Sequence, residues 1–310
     1  MITVGGRICK KCLFNLGTHN GIFHCDEVVA IAILRLSLSY LKNLHVVRSE
    51  DIEVLNKCKI VIDIGGGSYD HHGKNFKKCR STGEEYASAG LVWENFAEKA
   101  IRTVTGKIGV YLEDDEVKKI KEEIDTEFII PIDLEDNGIE FRNHAFSFIT
   151  QLRPTWIEHQ NFDEAFIKAE ALAFDMLKAI IKSKAANLRT APYFNKSLSI
   201  HDGIFELPAQ TMKWEEYIVN HNLSNNYEIK FVIFPYPRGG WAAQSVPPSM
   251  DEIFKQLVPF PEEWAGENKD TLPEISGVKE AILCHKDRFF ARAQSKAAII
   301  QMCKIAMGLF

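Results

Sequence analysis

His19, His24, His71 and His72 fall within one short stretch of a 310-residue chain, together with Asp26, Asp63 and Asp70. Imidazole and carboxylate in this mixture, with no thiolate needed, suit hard or borderline divalent cations such as Mn2+, Mg2+ or Zn2+. The residues come in two groups, His19-Asn20-Gly21-Ile22-Phe23-His24-Cys25-Asp26-Glu27 and Tyr69-Asp70-His71-His72, with Val61-Ile62-Asp63 between them. A lone histidine near a helix start is ordinarily a surface residue or a cap, and an aspartate after a strand is ordinarily a turn former. Two vicinal histidines after an aspartate resist that reading. Adjacent imidazoles point in different directions, so one can ligate an ion while the next faces substrate, and Asp70 can orient either by accepting its other ring N–H. Asp136 lies further along and extends the acidic set. Asp63, between the histidine groups, is the candidate for a carboxylate that bridges two ions about 3.5–4 Å apart. Cys25, among these candidates, reads as a small packed residue.

Such residues work only if the fold brings them together. Leu13 to Leu16 predicts a short strand, which delivers Gly17 to Asn20 into a loop before a helix starting near Asp26 and running through Val28, Ile31, Leu34 and Leu38. His45 to Arg48 and Lys59 to Ile64 predict two more buried strands, the second ending at Asp63 and a Gly65-Gly66-Gly67 turn. Strands that alternate with helices argue for an α/β fold with a parallel sheet flanked by helices, and ligands gather at the carboxyl ends of such strands. Further helices are predicted over Ser88 to Arg102, Asp114 to Ile124 and Asp163 to Lys184. Ala185 to Asn195 is the linker candidate, so a catalytic domain is expected over 1–190 and a smaller α/β domain over 191–310. In the second domain, strands are predicted at Leu198 to Ile200, Ile229 to Phe234, Trp241 to Val246 and Ala281 to Cys284, followed by a helix from Ser295 to Met307.

Composition narrows the partners. With 37 basic and 42 acidic residues the formal charge is −5, so any nucleic-acid contact must rest on a local groove and not on overall attraction. Seven cysteines, an odd and scattered set, favour a reducing compartment and a cytoplasmic location. Cys9-Lys10-Lys11-Cys12 has the spacing of half a zinc ribbon but no second such pair follows. Val28 to Leu34 is the strongest apolar run and falls far short of the ~20 residues of a membrane span. No membrane partner is expected, and an apolar edge strand leaves a homodimer open.

Beyond the residues taken singly, Gly17 to Glu27, Val61 to Gly66, Tyr69 to His72, Ser88-Ala89-Gly90-Leu91-Val92, Ile132 to Ile139 and Trp241 to Pro248 resemble the DHH-type metal-dependent phosphoesterases of the melanocyte-proliferating-gene family. Phe234-Pro235, Pro261-Glu262-Glu263-Trp264, Ser276-Gly277 and Cys284-His285 carry the resemblance nearly end to end. It implies a DHH domain followed by a smaller substrate domain, two divalent ions, most of all Mn2+, and phosphodiester hydrolysis of the 3′–5′ exonuclease kind on RNA or short oligonucleotides. By the same resemblance His19, His24 and Asp63 would hold one ion, and Asp26, Asp63, His71 and Asp136 the other. His72 would face the scissile phosphate, with Asp70 behind it. Asp133, one helical turn before Asp136, is the alternative ligand; Asn137-Gly138 favours Asp136, because it resembles the motif's usual ending.

The substrate side is less legible. Arg238-Gly239-Gly240-Trp241 and Arg288 to Arg292 offer cations, a flexible turn and an aromatic face for phosphate contact and base stacking, yet each reads equally as a hairpin turn. His285 and Arg153 are further candidates, the latter at a position where family members usually carry an uncharged residue. The chain also departs from the family in the short run from Gly65 to the Asp-His-His motif, and in Ala291-Arg292-Ala293-Gln294 where a glycine-containing turn is usual. Two competing readings remain: a hydrolase of small phosphorylated substrates such as a dinucleotide or 3′-phosphonucleotide, and a catalytically silent binding protein that kept the fold.

Overall fold

In the computed structural model, described over residues 2–8, 14–39, 44–139, 144–196, 202–225 and 228–309, the chain divides into two units, Met1–Ala185 and Ala186–Phe310. The first is built on a four-stranded sheet from β1 (Ile2–Gly5), β2 (Phe14–Thr18), β3 (Leu44–Arg48) and β4 (Ile60–Val61), with strand order β1-β3-β2-β4. Every pair is parallel, so the carboxyl ends of the neighbours β2 and β4 emerge side by side, with Gly17 opposite Val61. The helices of this unit are α1 (Cys25–Ser37), the single turn α2 (Ile52–Leu55), α3 (Ser88–Lys107), α4 (Asp114–Ile124), α5 (Ile130–Asp136), α6 (His144–Gln151) and α7 (Phe162–Asn187), with a π-helical turn at Asp125–Ile129. All of α1 except Arg35 is buried, as expected of a helix that is apolar nearly all round. Its buried end is tied down by Arg35, which donates at 2.7 Å to the fully buried Glu170 of α7.

The predicted strand at Lys59 to Ile64 keeps only two strand residues. Asp63 has a φ of 62°, a left-handed conformation that turns the chain out of the sheet and that aspartate tolerates better than most residues. The linker expected over Ala185 to Asn195 is instead largely helical, occupied by the end of α7 and by α8 (Thr190–Lys196). Pro192 sits in the first turn of that short helix, where its missing N–H is harmless.

The second unit carries a five-stranded sheet of β5 (Ile204–Glu206), β6 (Phe231–Pro235), β7 (Trp241–Ser245), β8 (Ala281–Cys284) and β9 (Phe290–Ala293), in the order β5-β6-β7-β9-β8. Only β5 and β6 run parallel. The sheet is sandwiched by two apolar clusters. Phe231, Ile233 and Ala243 face Trp264, Ile299 and Met302 on one side, while Val232, Phe234 and Ala242 face Phe194, Trp214 and Ile218 on the other. This period-two sorting is what a strand buried on both faces requires. Short helices α9 (Glu215–Asn225) and α10 (Leu272–Ser276) and the terminal α11 (Lys296–Ala306) complete the unit. The Cys9 to Cys12 pair and the strand expected at Leu198 to Ile200 lie outside the described residues.

Candidate metal centre

The parallel neighbours β2 and β4 put His19 and Asp63 at one sheet end, where His19 Nε2 is 3.4 Å from Asp63 Oδ2. The loop after His19 returns as the start of α1. His24 is the N-cap residue there, and its backbone N–H donates to both oxygens of Glu27 at 2.8 Å. Arg48, at the end of β3, holds that loop by donating to Gly21 O at 2.7 Å and to Asp163 at 2.8 Å.

Asp63 is the hub. Its carboxylate is 3.3 Å from His71 Nε2 and 3.5 Å from His72 Nδ1, besides His19, and 4.0 Å from His24 Nδ1. Ser88, the first residue of α3, donates its hydroxyl to Asp63 Oδ1 at 3.1 Å, while its backbone N–H, at 3.2 Å, donates to Asp26 Oδ2. The helix N-terminus thereby favours the negative charge of Asp26. His71 closes the far side: its Nε2 lies 3.2 Å from Asp136 Oδ2 and its Nδ1 is 3.2 Å from Asn137 Oδ1. One turn of α5 and its cap thus address both nitrogens of a single ring, as supporting residues do around a ligand histidine.

Asp136 and Asp133 separate clearly. Asp133 is fully buried behind α3, accepting from Gly90 N at 2.9 Å and pairing with Arg80 Nη2 at 2.8 Å. It braces α5, and Asp136 is the carboxylate that reaches the histidines. Asp70 also stays at the edge: it accepts from Gly66 N at 2.7 Å and His72 N at 3.0 Å, and its Oδ1 meets His72 Nδ1 at 3.0 Å. His72 itself is exposed.

These groups strain one another electrostatically. Burial acts against charge on His19 and His71, yet Asp63 with Glu27, and Asp136 with Asp63, raise their pKa values to about 10. Asp26 is pushed well above the usual carboxylate range by burial and by the neighbouring charges of Asp63, Asp136 and Glu27. Asp63 moves the opposite way: burial raises it, but the neighbouring imidazoles of His19, His24 and His71 prevail and hold it low.

A divalent cation fits this set. His19 Nε2, Asp26 Oδ1, Asp63 Oδ2 and His71 Nε2 are buried without a hydrogen bond, an expensive state for polar atoms unless an ion or water completes them. Among the described residues, donor atoms within 4.8 Å of one another form three groups: His19, His24, Glu27 and Asp63; Asp63, His71 and His72; and His24, Asp26 and Asp136. Glu27 and Ser88 were missed as site residues from sequence. The spacing that makes Glu27 a helix-capping partner was the available signal, and nothing in the sequence places Ser88 beside Asp63.

In the second unit, Arg238, Gly239 and Gly240 form the turn between β6 and β7. Gly240 has a φ of 77°, and a side chain there would come within 2.5 Å of Ala293 O. Arg292 lies over the Tyr236 ring at 3.9 Å and donates to Gly239 O at 3.3 Å, and Lys296 Nζ sits 5.3 Å from the Trp241 ring. His285 is at the other end of β9, in the β8–β9 turn, where its Nδ1 accepts from Asp287 N at 3.1 Å. The expected substrate residues of this unit therefore gather at a hairpin, apart from His285. Arg153 belongs to the first unit, after α6, with its guanidinium 5.7 Å from the Phe23 ring centroid.

Comparison with known proteins gives the arrangement its relatives. The family model for MYG1 exonuclease, described as Uncharacterised protein family (UPF0160), matches residues 15–307. The MYG1 exonuclease of Rattus norvegicus is 28% identical over 94% of this chain and 84% of its own length. The MYG1 protein of Chlamydia trachomatis is 28% identical over 95% of this chain and 96% of its own. Among solved structures, RecJ from Thermus thermophilus in complex with Mn2+ aligns with 95% of this chain and 52% of its own at 13% identity, with a TM-score of 0.29, too slight a likeness to carry an argument. With a match that runs through both units, the chain belongs to the MYG1 exonuclease family.

Proposed function

We propose that the chain is a metal-dependent phosphodiester hydrolase, a 3′–5′ exonuclease acting on RNA or short oligonucleotides with Mn2+ at the centre built on Asp63. The observation that carries this reading is the reach of one buried carboxylate to four imidazoles, ringed by buried donors without hydrogen bonds. His19, His24 and Asp63, joined by Glu27, would hold one ion; Asp26, Asp63, His71 and Asp136 would hold a second. Bound there, divalent ions supply positive charge that polarises a phosphoryl oxygen and brings the pKa of water down towards ~7. Ser88 and Asn137 keep Asp63 and His71 in place. Asp70 holds His72 Nδ1, which fixes the ring and leaves Nε2 for a substrate phosphate at the exposed edge. No side-chain nucleophile is required. The five described cysteines are unpaired, which supports the expected reducing, cytoplasmic setting, and no helix among the described residues is long and apolar enough to cross a membrane.

Elemental analysis of the purified protein, followed by a Mn2+, Mg2+ and Zn2+ activity screen on end-labelled oligonucleotides and on dinucleotides, tests the reading. Metal uptake with stepwise shortening from the 3′ end is expected. Asp63→Ala should remove turnover and most bound metal while the fold persists; full activity in that variant would defeat the model. The competing reading, hydrolysis of dinucleotides or 3′-phosphonucleotides, draws support from the net charge of −5, which offers a long polyanion no general attraction.

A further inference from the structure

Arg35, Arg48 and Arg80 of the first unit are each matched to a carboxylate: Arg35 to Glu170 at 2.7 Å, Arg48 to Asp163 at 2.8 Å, and Arg80 to Asp125 and Asp133 at 2.8 Å. Arg153 is different. It is half-buried, its Nε is shielded from solvent without a hydrogen bond, and its guanidinium makes no ion pair among the described residues. Its neighbour is the ring of Phe23, the residue immediately before His24, itself held edge-on against Phe166 at 5.6 Å. At 5.7 Å the ring contact is near the outer limit of a cation–π interaction, so it positions the guanidinium without satisfying its N–H donors. Burial works against the charge of Arg153, and the carboxylates of Glu27 and Asp136 work to keep it. A guanidinium cannot shed its proton to escape such a place. What it lacks is an anion with oxygens in a fork that matches its own, and phosphate is such an anion.

We propose that Arg153 is a substrate-binding residue that receives non-bridging oxygens of the phosphate group engaged at the Asp63 centre. This rests on the phosphodiesterase reading above and adds to it a protein cation beside the ions. Lysine at this position keeps the charge but loses the planar fork.

The test uses the full-length protein and two probes, inorganic phosphate and bis(4-nitrophenyl) phosphate, with affinity measured by calorimetry both with and without Mn2+. Arg153→Ala is expected to weaken inorganic phosphate binding by about tenfold or more, the range of a lost charge-assisted pair. Mn2+ uptake and the thermal midpoint should stay as in the wild type, and KM for the diester should rise more than kcat falls. Arg153→Lys should recover only part of the phosphate affinity, and it carries the comparison if the alanine variant fails to fold. Equal phosphate affinity in wild type and Arg153 variants, or no phosphate binding by the wild type in either condition, overturns the proposal. Failure of the wild type to bind Mn2+ would count against the metal reading alone. The loss on Arg153 substitution is expected in the metal-free protein as well, so that comparison still decides the role of Arg153.

Discussion

At the scale of single residues, the centre behaves as a set of donors whose missing positive charge is supplied by protons. His19 and His71 carry pKa values of about 10 against an ordinary 6.5 because carboxylates surround them. A folded-state value above the unfolded one means that protonation stabilises the metal-free fold fully below about 6.5, and that this stability is lost as pH rises towards about 10. Asp26 has the same sign, since burial and its charged neighbours raise its pKa and its ionised form opposes folding. The thermal midpoint of the metal-free protein is therefore expected to fall as pH climbs through this window, while the Mg2+-loaded protein changes less. Calorimetry in buffers of different ionisation enthalpy should also detect protons released on metal binding, with apparent affinity rising with pH. A midpoint independent of pH, or uptake without proton release, would contradict this account. His72 is set apart by exposure and by its bond to Asp70. His72→Ala should lower turnover with little change in metal content; metal loss equal to that of Asp63→Ala would make it a ligand.

At the scale of elements, the centre depends on how closely α3 approaches α5. A Cβ at Gly90 would come within 2.0 Å of Asp133 Oδ2 and 2.6 Å of Arg80 Nη2, so the glycine is the gap through which the buried ion pair forms. Gly90→Ala should break that pair and destabilise the first unit by about 3–5 kcal/mol, the cost of stranding a buried charge. Denaturant unfolding measures it, and a loss no larger than that of a surface substitution would show that the helices adjust. Elements with one strong periodic signal were legible from sequence: α4 and β8 have the predicted bounds, and the starts of α1, α3 and α7 fall within a residue of expectation. Those that depend on tertiary partners were not. Helices α5 and α6 and strands β5 and β9 are short segments that owe their regularity to neighbours. Asp63 was legible as a site residue from its place between the histidines, but its left-handed backbone, which shortens β4, was not. The Asp133 and Asp136 alternatives share one helix, and their partners separate them: Asp133 meets the buried Arg80, which no pattern in the sequence announces, and Gly90 N, while Asp136 meets His71.

At the scale of the whole molecule, the residues divide by unit. Among the described residues, the donors gathered around Asp63 belong to Met1–Ala185, whereas Arg238, Trp241, His285 and Arg292 belong to Ala186–Phe310. A chain ending at Asn187, the last residue of α7, should therefore take up Mn2+ as the full protein does; loss of uptake in a folded fragment would show that the second unit supports the centre. The choice of substrate also belongs to this scale, because the net charge of −5 leaves local cations to hold a polyanion. If the substrate is an oligonucleotide held along several phosphates, log affinity should fall linearly with log salt, with a slope of about −0.7 for each single-strand phosphate neutralised. A dinucleotide offers one such phosphate and should give a correspondingly shallow slope. Fluorescence anisotropy with labelled single-stranded RNA and a labelled dinucleotide, in Ca2+ to suppress turnover, separates the cases. A slope for the longer RNA several times that for the dinucleotide favours the exonuclease. Equal, shallow slopes would mean that only the phosphate at the centre is gripped, and would move the chain to the small-substrate hydrolases.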